Sequence, residues 1–205
     1  QRRVCYFGSD YLIFDEHDDY RVVIFNSCAR HTQSPEDYER GRIAESTLGW
    51  LEEELEIISK KNRPKVNILI CHHHPIQHDS QNLGAYDFMH NGSRLMSLLA
   101  KYGHWLVVHG HKHHAMLSYS GGARTQQIPV FSAGTLAAHK RTLGTGFNNQ
   151  FYIIDINKKP TVDGLKGQVR AWSWAGNRWI ESKSRKDGVY SGVGFGFQGL
   201  MSDLL

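Results

Sequence analysis

The sequence predicts an α/β fold, on three observations. Two short, nearly continuous apolar runs, Val66–Cys71 and Trp105–Val108, read as strands buried on both faces. Amphipathic stretches at helical spacing precede each of them. Beyond residue 115 the pattern turns to strand-like alternation, so helices and strands interleave in the first half and strands dominate the second.

The first elements are two short β-rich runs, Tyr11–Phe14 and Arg21–Phe25, which the polar stretch Asp15–Tyr20 joins as a hairpin. A polar loop (Cys28–Arg40, with Pro35) leads to a helix over Ile43–Lys60. Its buried side is Leu48, Leu51, Leu55 and Ile58, its wet side Glu52, Glu53, Glu54 and Glu56, and Lys60 and Lys61 complement its negative end. The Val66–Cys71 strand follows and runs directly into His72–His73–His74–Pro75. A long loop (Ile76–Phe88) precedes a second helix, about Gly92–Tyr102, which buries Leu95, Met96, Leu98 and Leu99. Trp105–Val108 then ends in His109–Gly110–His111–Lys112–His113–His114. Further strands are expected at Met116–Ser120, Pro129–Ser132 and Phe151–Ile156, the first two separated by a Gly121–Gly122 turn. Gln168–Trp174 and Arg178–Ser182 form a hairpin across Gly176–Asn177, and the tail from Gly188 to Leu205 is rich in Gly and Phe without a clear period.

Bulk properties narrow the function classes. The chain has 205 residues, 40% hydrophobic and 21% charged, with a net charge of +4, as in an ordinary globular protein. No apolar run approaches the roughly 20 residues that cross a bilayer, and no secretory leader is expected. Three cysteines (Cys5, Cys28, Cys71) without a C-x-x-C spacing argue against a disulfide framework or zinc ribbon, so a cytoplasmic location is expected, and the lack of a long apolar run adds the expectation of no membrane partner. The chain begins with Gln1 rather than Met, which places the expected true start upstream.

Histidine is the anomaly. Ten of thirteen histidines lie between His72 and His114, a density that points to metal binding or proton transfer. Both dense segments follow one plan: a buried strand, an abrupt stop, histidines, then a turn containing Gly or Pro. Ligands at the carboxyl end of a strand project from a rigid edge, and coordination needs that rigidity. Gly110 is expected to make the sharp turn and the close approach in G-H-K-H. Imidazole suits first-row metals, and a metal pair can activate a water and clamp a phosphoryl oxygen.

The order strand–HHP, helix, strand–GHxH resembles the last two metal motifs of the calcineurin-like metallophosphoesterases. FNS (25–27), WLEEEL (50–55), VFSAGT (130–135) and FNNQFYIIDI (147–156) are similar to the surroundings of those motifs, so the resemblance covers about residues 10–156. It implies a β-sandwich flanked by helices, with residues 1–160 as the C-terminal part of that domain, 161–187 as its terminal hairpin and 188–205 as a tail or linker. It also implies hydrolysis of a phosphoester, a nucleotide or nucleic-acid diester by preference, by two divalent metal ions of the Mn, Zn, Fe or Ni class. His73 and His111 would share one metal and His113 would serve the other. His72, His74 and His114, with His109, are candidates for supporting or substrate-binding roles.

The family's D-x-H, G-D-x-x-D and G-N-H motifs have no convincing counterpart here. Asp15–Glu16–His17 spells D-x-H but sits in the hairpin turn, and neither G-D nor G-N-H occurs. The remaining ligands and the catalytic residues are therefore expected upstream of residue 1, in the other half of the domain, and the chain alone is expected to be inactive. Two other classes stay open: an inactive fragment serving as an interaction module, and a nucleic-acid-binding module using Trp172, Trp174, Trp179 and the basic residues Lys183, Arg185 and Lys186. The preferred expectation for the tryptophans is a face packed on the core. Asn148 and Asn149 read as loop amides rather than substrate contacts.

Overall fold

A computed structural model of the chain describes residues 2–7, 10–29, 39–61, 65–77, 88–120, 127–143, 147–158, 160, 164–183 and 189–196. Pro35, His78, the Gly121–Gly122 turn, Arg185, Lys186 and the tail beyond residue 196 lie outside the described residues. The fold is mixed α/β. Its larger sheet takes β1 (Arg2–Phe7), β2 (Asp10–Glu16), β3 (Tyr20–Phe25), β4 (Val66–Ile70), β5 (Trp105–His109), β6 (Met116–Ser120) and β7 (Ile128–Ser132). Their spatial order is β1-β2-β3-β4-β5-β7-β6. β3, β4, β5 and β7 run parallel, while β1–β2–β3 form an antiparallel meander at one side and β6 closes the other side antiparallel to β7.

The parallel strands are apolar on both faces because both faces are covered. In β4, Leu69 packs toward the helices, whereas Val66 and Ile68 pack against the second sheet. In β5, Trp105 and Val107 take the helical side and Leu106 and Val108 the other. Two helices, α1 (Glu45–Ser59) and α2 (Gly92–Lys101), cover the first face among the described residues. α1 buries Thr47, Leu48, Leu51 and Leu55; α2 buries Leu95, Met96, Leu98 and Leu99 with Gly92 at its start. Arg3 ties the sheet margin to α1. Its guanidinium makes a two-pronged bond to the Glu54 carboxylate (2.9 and 2.7 Å) while lying over the Phe14 ring at 4.9 Å.

The second sheet consists of β8 (Gln150–Ile156), β9 (Gly167–Trp174), β10 (Trp179–Glu181) and β11 (Val193–Phe195). β9 is its centre: β8 pairs along its whole length, while β10 and β11 pair with its two ends. Among the described residues β8 pairs with β9 alone. The inner faces of the two sheets share one core, where Val66, Leu106 and Phe131 meet Leu165, Val169, Val189 and Phe195. Among the described residues no helix is long and apolar enough to cross a membrane.

Three features differ from the sequence expectation. β1 was not anticipated, because its opening Arg2–Arg3 breaks any apolar pattern; those residues stand at a sheet margin, where Arg2 pairs with Asp15 and Arg3 with Phe14. Residues 189–196, expected as tail, belong to the core. Val189 and Phe195 are buried, and a side chain at Gly167 would collide with the Phe195 ring. Trp172 and Trp174 lie on the outer face of β9, since Val169, Ala171 and Ser173 take the buried positions. There Phe151 stacks flat on Trp172 (5.0 Å, 5°) and Trp179 packs on Trp174 (5.3 Å), so the rings spend their faces on one another.

Phe195→Ala is expected to destabilise the domain by about 3–5 kcal/mol, the usual cost of emptying a buried aromatic site. Urea unfolding of the two proteins measures it; an unchanged midpoint would mean that residues 189–196 are not part of the core.

Candidate metal centre

Because β3, β4 and β5 are parallel neighbours, their carboxyl ends open on the same edge of the sheet. Three loops leave from that edge: Asn26–Cys28 after β3, His72–His74 after β4, and Gly110–His114 after β5. The β4–β5 ladder continues beyond the strands into these loops. The Cys71 amide donates to the Val108 carbonyl and the Gly110 amide to the His72 carbonyl, both at 3.1 Å. The Ala133 amide donates to the His109 carbonyl at 2.7 Å, which fixes the β5 loop from its other side. The crevice beyond the carboxyl ends of parallel strands is where open α/β sheets bind ligands. Asp15–Glu16–His17 stands at the opposite end of the strands, at the β2–β3 turn, where His17 pairs with Asp15 at 3.3 Å.

Ser27 organises the first two loops. Its hydroxyl oxygen accepts hydrogen bonds from the His72 and His73 amides (3.2 Å each), and it bonds the His73 Nδ1 at 2.9 Å. His73 is fully buried. A wall of backbone closes its other side: Gly41 has φ +68, and a Cβ there would overlap the His73 imidazole. Only glycine satisfies both conditions, the left-handed backbone and the absent side chain. The Gly41 segment is itself held by the Arg42 amide donating to the Ser27 carbonyl (3.1 Å). Cys71 donates from Sγ to the His73 carbonyl (3.3 Å), and burial pushes its thiol up to about 12, so it stays a neutral structural group.

His72, His73 and His111 come together. Their ring centroids are separated by 4.9 Å (72–73), 4.8 Å (72–111) and 4.5 Å (73–111), and His111 Nδ1 lies 3.0 Å from His72 Nε2. His111 Nε2 is buried and makes no hydrogen bond of normal geometry among the described residues. Burial first, then the neighbouring His73, His72 and Lys112, hold the His111 imidazolium down to about 3, and a backbone contact with Glu39 offsets only part of this. His111 is therefore neutral at physiological pH, the form that coordinates metals.

The turn of G-H-K-H differs from expectation. The left-handed backbone falls on His111 (φ 75) and His113 (φ 55) rather than on Gly110, where an added Cβ would meet open space. Left-handed non-glycine residues carry local strain and concentrate at functional sites. His113 is exposed and makes none of the ring contacts that join the other three. His74 and His109 are buried together below the crevice, ring centroids 4.3 Å apart. His114 packs edge-on against Phe147 at 4.5 Å, and burial lowers its pKa. Asn149 is a loop amide: its side chain accepts from the Ala138 amide (2.9 Å) and donates to the Ala138 carbonyl (3.0 Å).

Cys28, His72 and His73 can hold a metal ion: one ligand atom from each lies within 4.8 Å of the others, and no Asp or Glu joins the group among the described residues. The donor set suits a borderline or soft divalent ion. Sequence reading placed His72 only in a supporting role and passed over Ser27, Cys28 and Gly41. The signal for the first two was present, because VVIF–NSC is a third apolar strand that stops abruptly in polar residues, the plan already seen twice. Gly41 carries no local signal, since its role comes from a contact 32 positions away with His73.

Gly41→Ala is expected to push the His73 ring aside, lowering both stability and metal affinity. Gly49→Ala, in α1 with open space around it, is the control and is expected to be neutral or to stabilise by up to about 1 kcal/mol. Ser27→Ala is expected to lower metal affinity about 10–100-fold, as loss of a ligand-orienting partner does. Isothermal titration with Zn2+ and thermal melting check all three variants. Compared with protein-family models and with curated proteins, the chain matches neither any family model nor any curated protein.

Proposed function

We propose that this chain carries the histidine side of a metal-dependent phosphoester hydrolase centre, with a phosphodiester of the nucleotide or nucleic-acid class as preferred substrate. One observation carries the reading: two strand-end histidine loops, zipped together by a continuing β-ladder, bring His73 and His111 within 4.5 Å of each other in the crevice beyond the parallel strands. The resemblance of CHHHP (71–75) and GHKH (110–113) to metallophosphoesterase motifs supports it independently. When bound, divalent metal supplies the Lewis acidity that activates water and neutralises phosphoryl charge.

In this reading His73 and His111 are metal ligands. Ser27 orients the His73 ring, and Gly41 makes room for it. Lys112, between the two histidines of G-H-K-H, pairs with Glu39 at 3.5 Å, so its charge is largely balanced there. His113 stands outside the three-histidine group. Its proposed role as ligand of a second metal needs a shift of that exposed loop or additional ligands beside it. Carboxylate ligands, which the family motifs place ahead of the hairpin, would complete a dinuclear centre of the Mn, Zn, Fe or Ni class.

The test is turnover of bis-p-nitrophenyl phosphate and p-nitrophenyl phosphate with Mn2+, Zn2+ and Ni2+. It is run on residues 1–205 and on a longer polypeptide that adds the D-x-H, G-D-x-x-D and G-N-H segments. The expected result is background activity for the former and diesterase activity for the latter, reduced to background by His73→Ala or His111→Ala with loss of bound metal. Full activity in either variant overturns the ligand assignment. A chain that binds no metal in either form is an interaction module instead.

A further inference from the structure

We infer that Cys28 is a metal ligand, and that this chain by itself holds one thiophilic divalent ion, of the zinc or cobalt class, between Cys28, His72, His73 and His111. The inference shares its histidines with the hydrolase reading but does not depend on hydrolysis.

Geometry supports it first. Tetrahedral zinc bonds of about 2.0–2.1 Å to nitrogen and 2.3 Å to sulfur place neighbouring nitrogens roughly 3.3 Å apart and nitrogen and sulfur about 3.6 Å apart. His72 Nε2 and His111 Nδ1 are 3.0 Å apart; the His73 Nδ1 is bonded to Ser27, so Nε2 is the His73 nitrogen that would coordinate. Cys28, His72 and His73 each offer a ligand atom within 4.8 Å of the others, and His111 joins them through its contact with His72, so side-chain movement is what closes the polyhedron. At 3.0 Å the His72 and His111 nitrogens can share a proton, and a rotation of both rings would turn their lone pairs onto a cation that replaces it.

Charge supports it second. Three imidazoles alone would leave a buried dication uncompensated, and no carboxylate joins the group among the described residues. Among the described residues the Cys28 thiol is the group of this cluster that can supply a negative charge, by releasing its proton to solvent as the metal–sulfur bond forms. A thiolate with imidazoles selects zinc and cobalt over manganese and magnesium, which prefer oxygen. Rigidity supports it third. Cys28 follows directly on Ser27, whose hydroxyl is bonded to both histidine amides, and the Cys28 amide donates to the Asn26 side chain at 3.2 Å. The sulfur thus rides on a loop already fastened to the histidines.

The test uses metal-stripped chain of residues 1–205 titrated with Co2+, followed by absorption spectroscopy. One equivalent is expected to bind with a near-ultraviolet thiolate-to-cobalt charge-transfer band and the intense visible bands of a tetrahedral site. Zn2+ is expected to displace the cobalt, and Mn2+ or Mg2+ in large excess is not. Cys28→Ser is expected to remove the charge-transfer band and weaken binding at least tenfold, and His72→Ala to weaken it likewise, with circular dichroism reporting the fold. Cobalt binding without the charge-transfer band in the unaltered protein overturns the role of Cys28, leaving the hydrolase reading standing, and this arm is decisive even if Cys28→Ser does not fold. An unaltered spectrum in Cys28→Ser also overturns it. The reverse pattern, the thiolate band present but no hydrolysis by the longer polypeptide, sinks the hydrolase reading and leaves the metal site.

Discussion

Three parallel strands end together, and the candidate centre depends on that register. β3, β4 and β5 run side by side in one direction, so the loops that follow them have no choice but to meet. Had β4 and β5 been antiparallel neighbours, CHHHP and GHKH would sit at opposite ends of the sheet. The bonds from Gly110 to His72 and from Cys71 to Val108 carry the same register past the regular strands. The position of each imidazole is therefore inherited from the sheet rather than from loop sequence, which is how a site held to a fraction of an ångström can stand on short loops.

The helices contribute at one remove. α1 and α2 cover the face of the sheet on which Leu69, Trp105 and Val107 lie, and Gly41, ahead of α1, lies against the His73 ring. Asn91, just ahead of α2, locks to Ile43 through its side chain, accepting from the Ile43 amide at 3.2 Å and donating to its carbonyl. Gly92 lets α2 start against the Pro75 carbonyl. Each of these contacts spans more than 15 positions in sequence, and the one from Gly41 closes directly on the buried His73 ring. Its solvent shielding is a tertiary property, whereas the left-handed turn at His111 and His113 is a local one.

Those two origins separate what was legible in the sequence from what was not. Strands buried on both faces leave continuous apolar runs, so β4 and β5 and the two helices were readable to within a residue or two. The histidines that follow the strands were readable for the same reason. β1 and β11 were hidden, one behind two arginines at a sheet margin and one in a glycine-rich stretch where Phe195 is the buried residue of the strand. Ser27, Cys28 and Gly41 escaped because their importance arises across 32 to 46 positions of chain. The tryptophans were read onto the wrong side of the sheet: alternation reveals that Trp172 and Trp174 share a face, but not which face is inner.

β8 bears on how the molecule behaves in bulk. Its residues QFYIIDI are strongly β-forming, Ile153 on its outer face is 42% exposed, and β9 is its only partner among the described residues. Beyond Gln150, whose amide bonds the Thr135 carbonyl, the outer edge of β8 meets no strand among the described residues, as at a sheet margin open to pairing with another chain. Colloidal behaviour at high concentration is thus written into the same strand that helps close the core, and a charged or proline gatekeeper on that strand is the chemical means of restraining it.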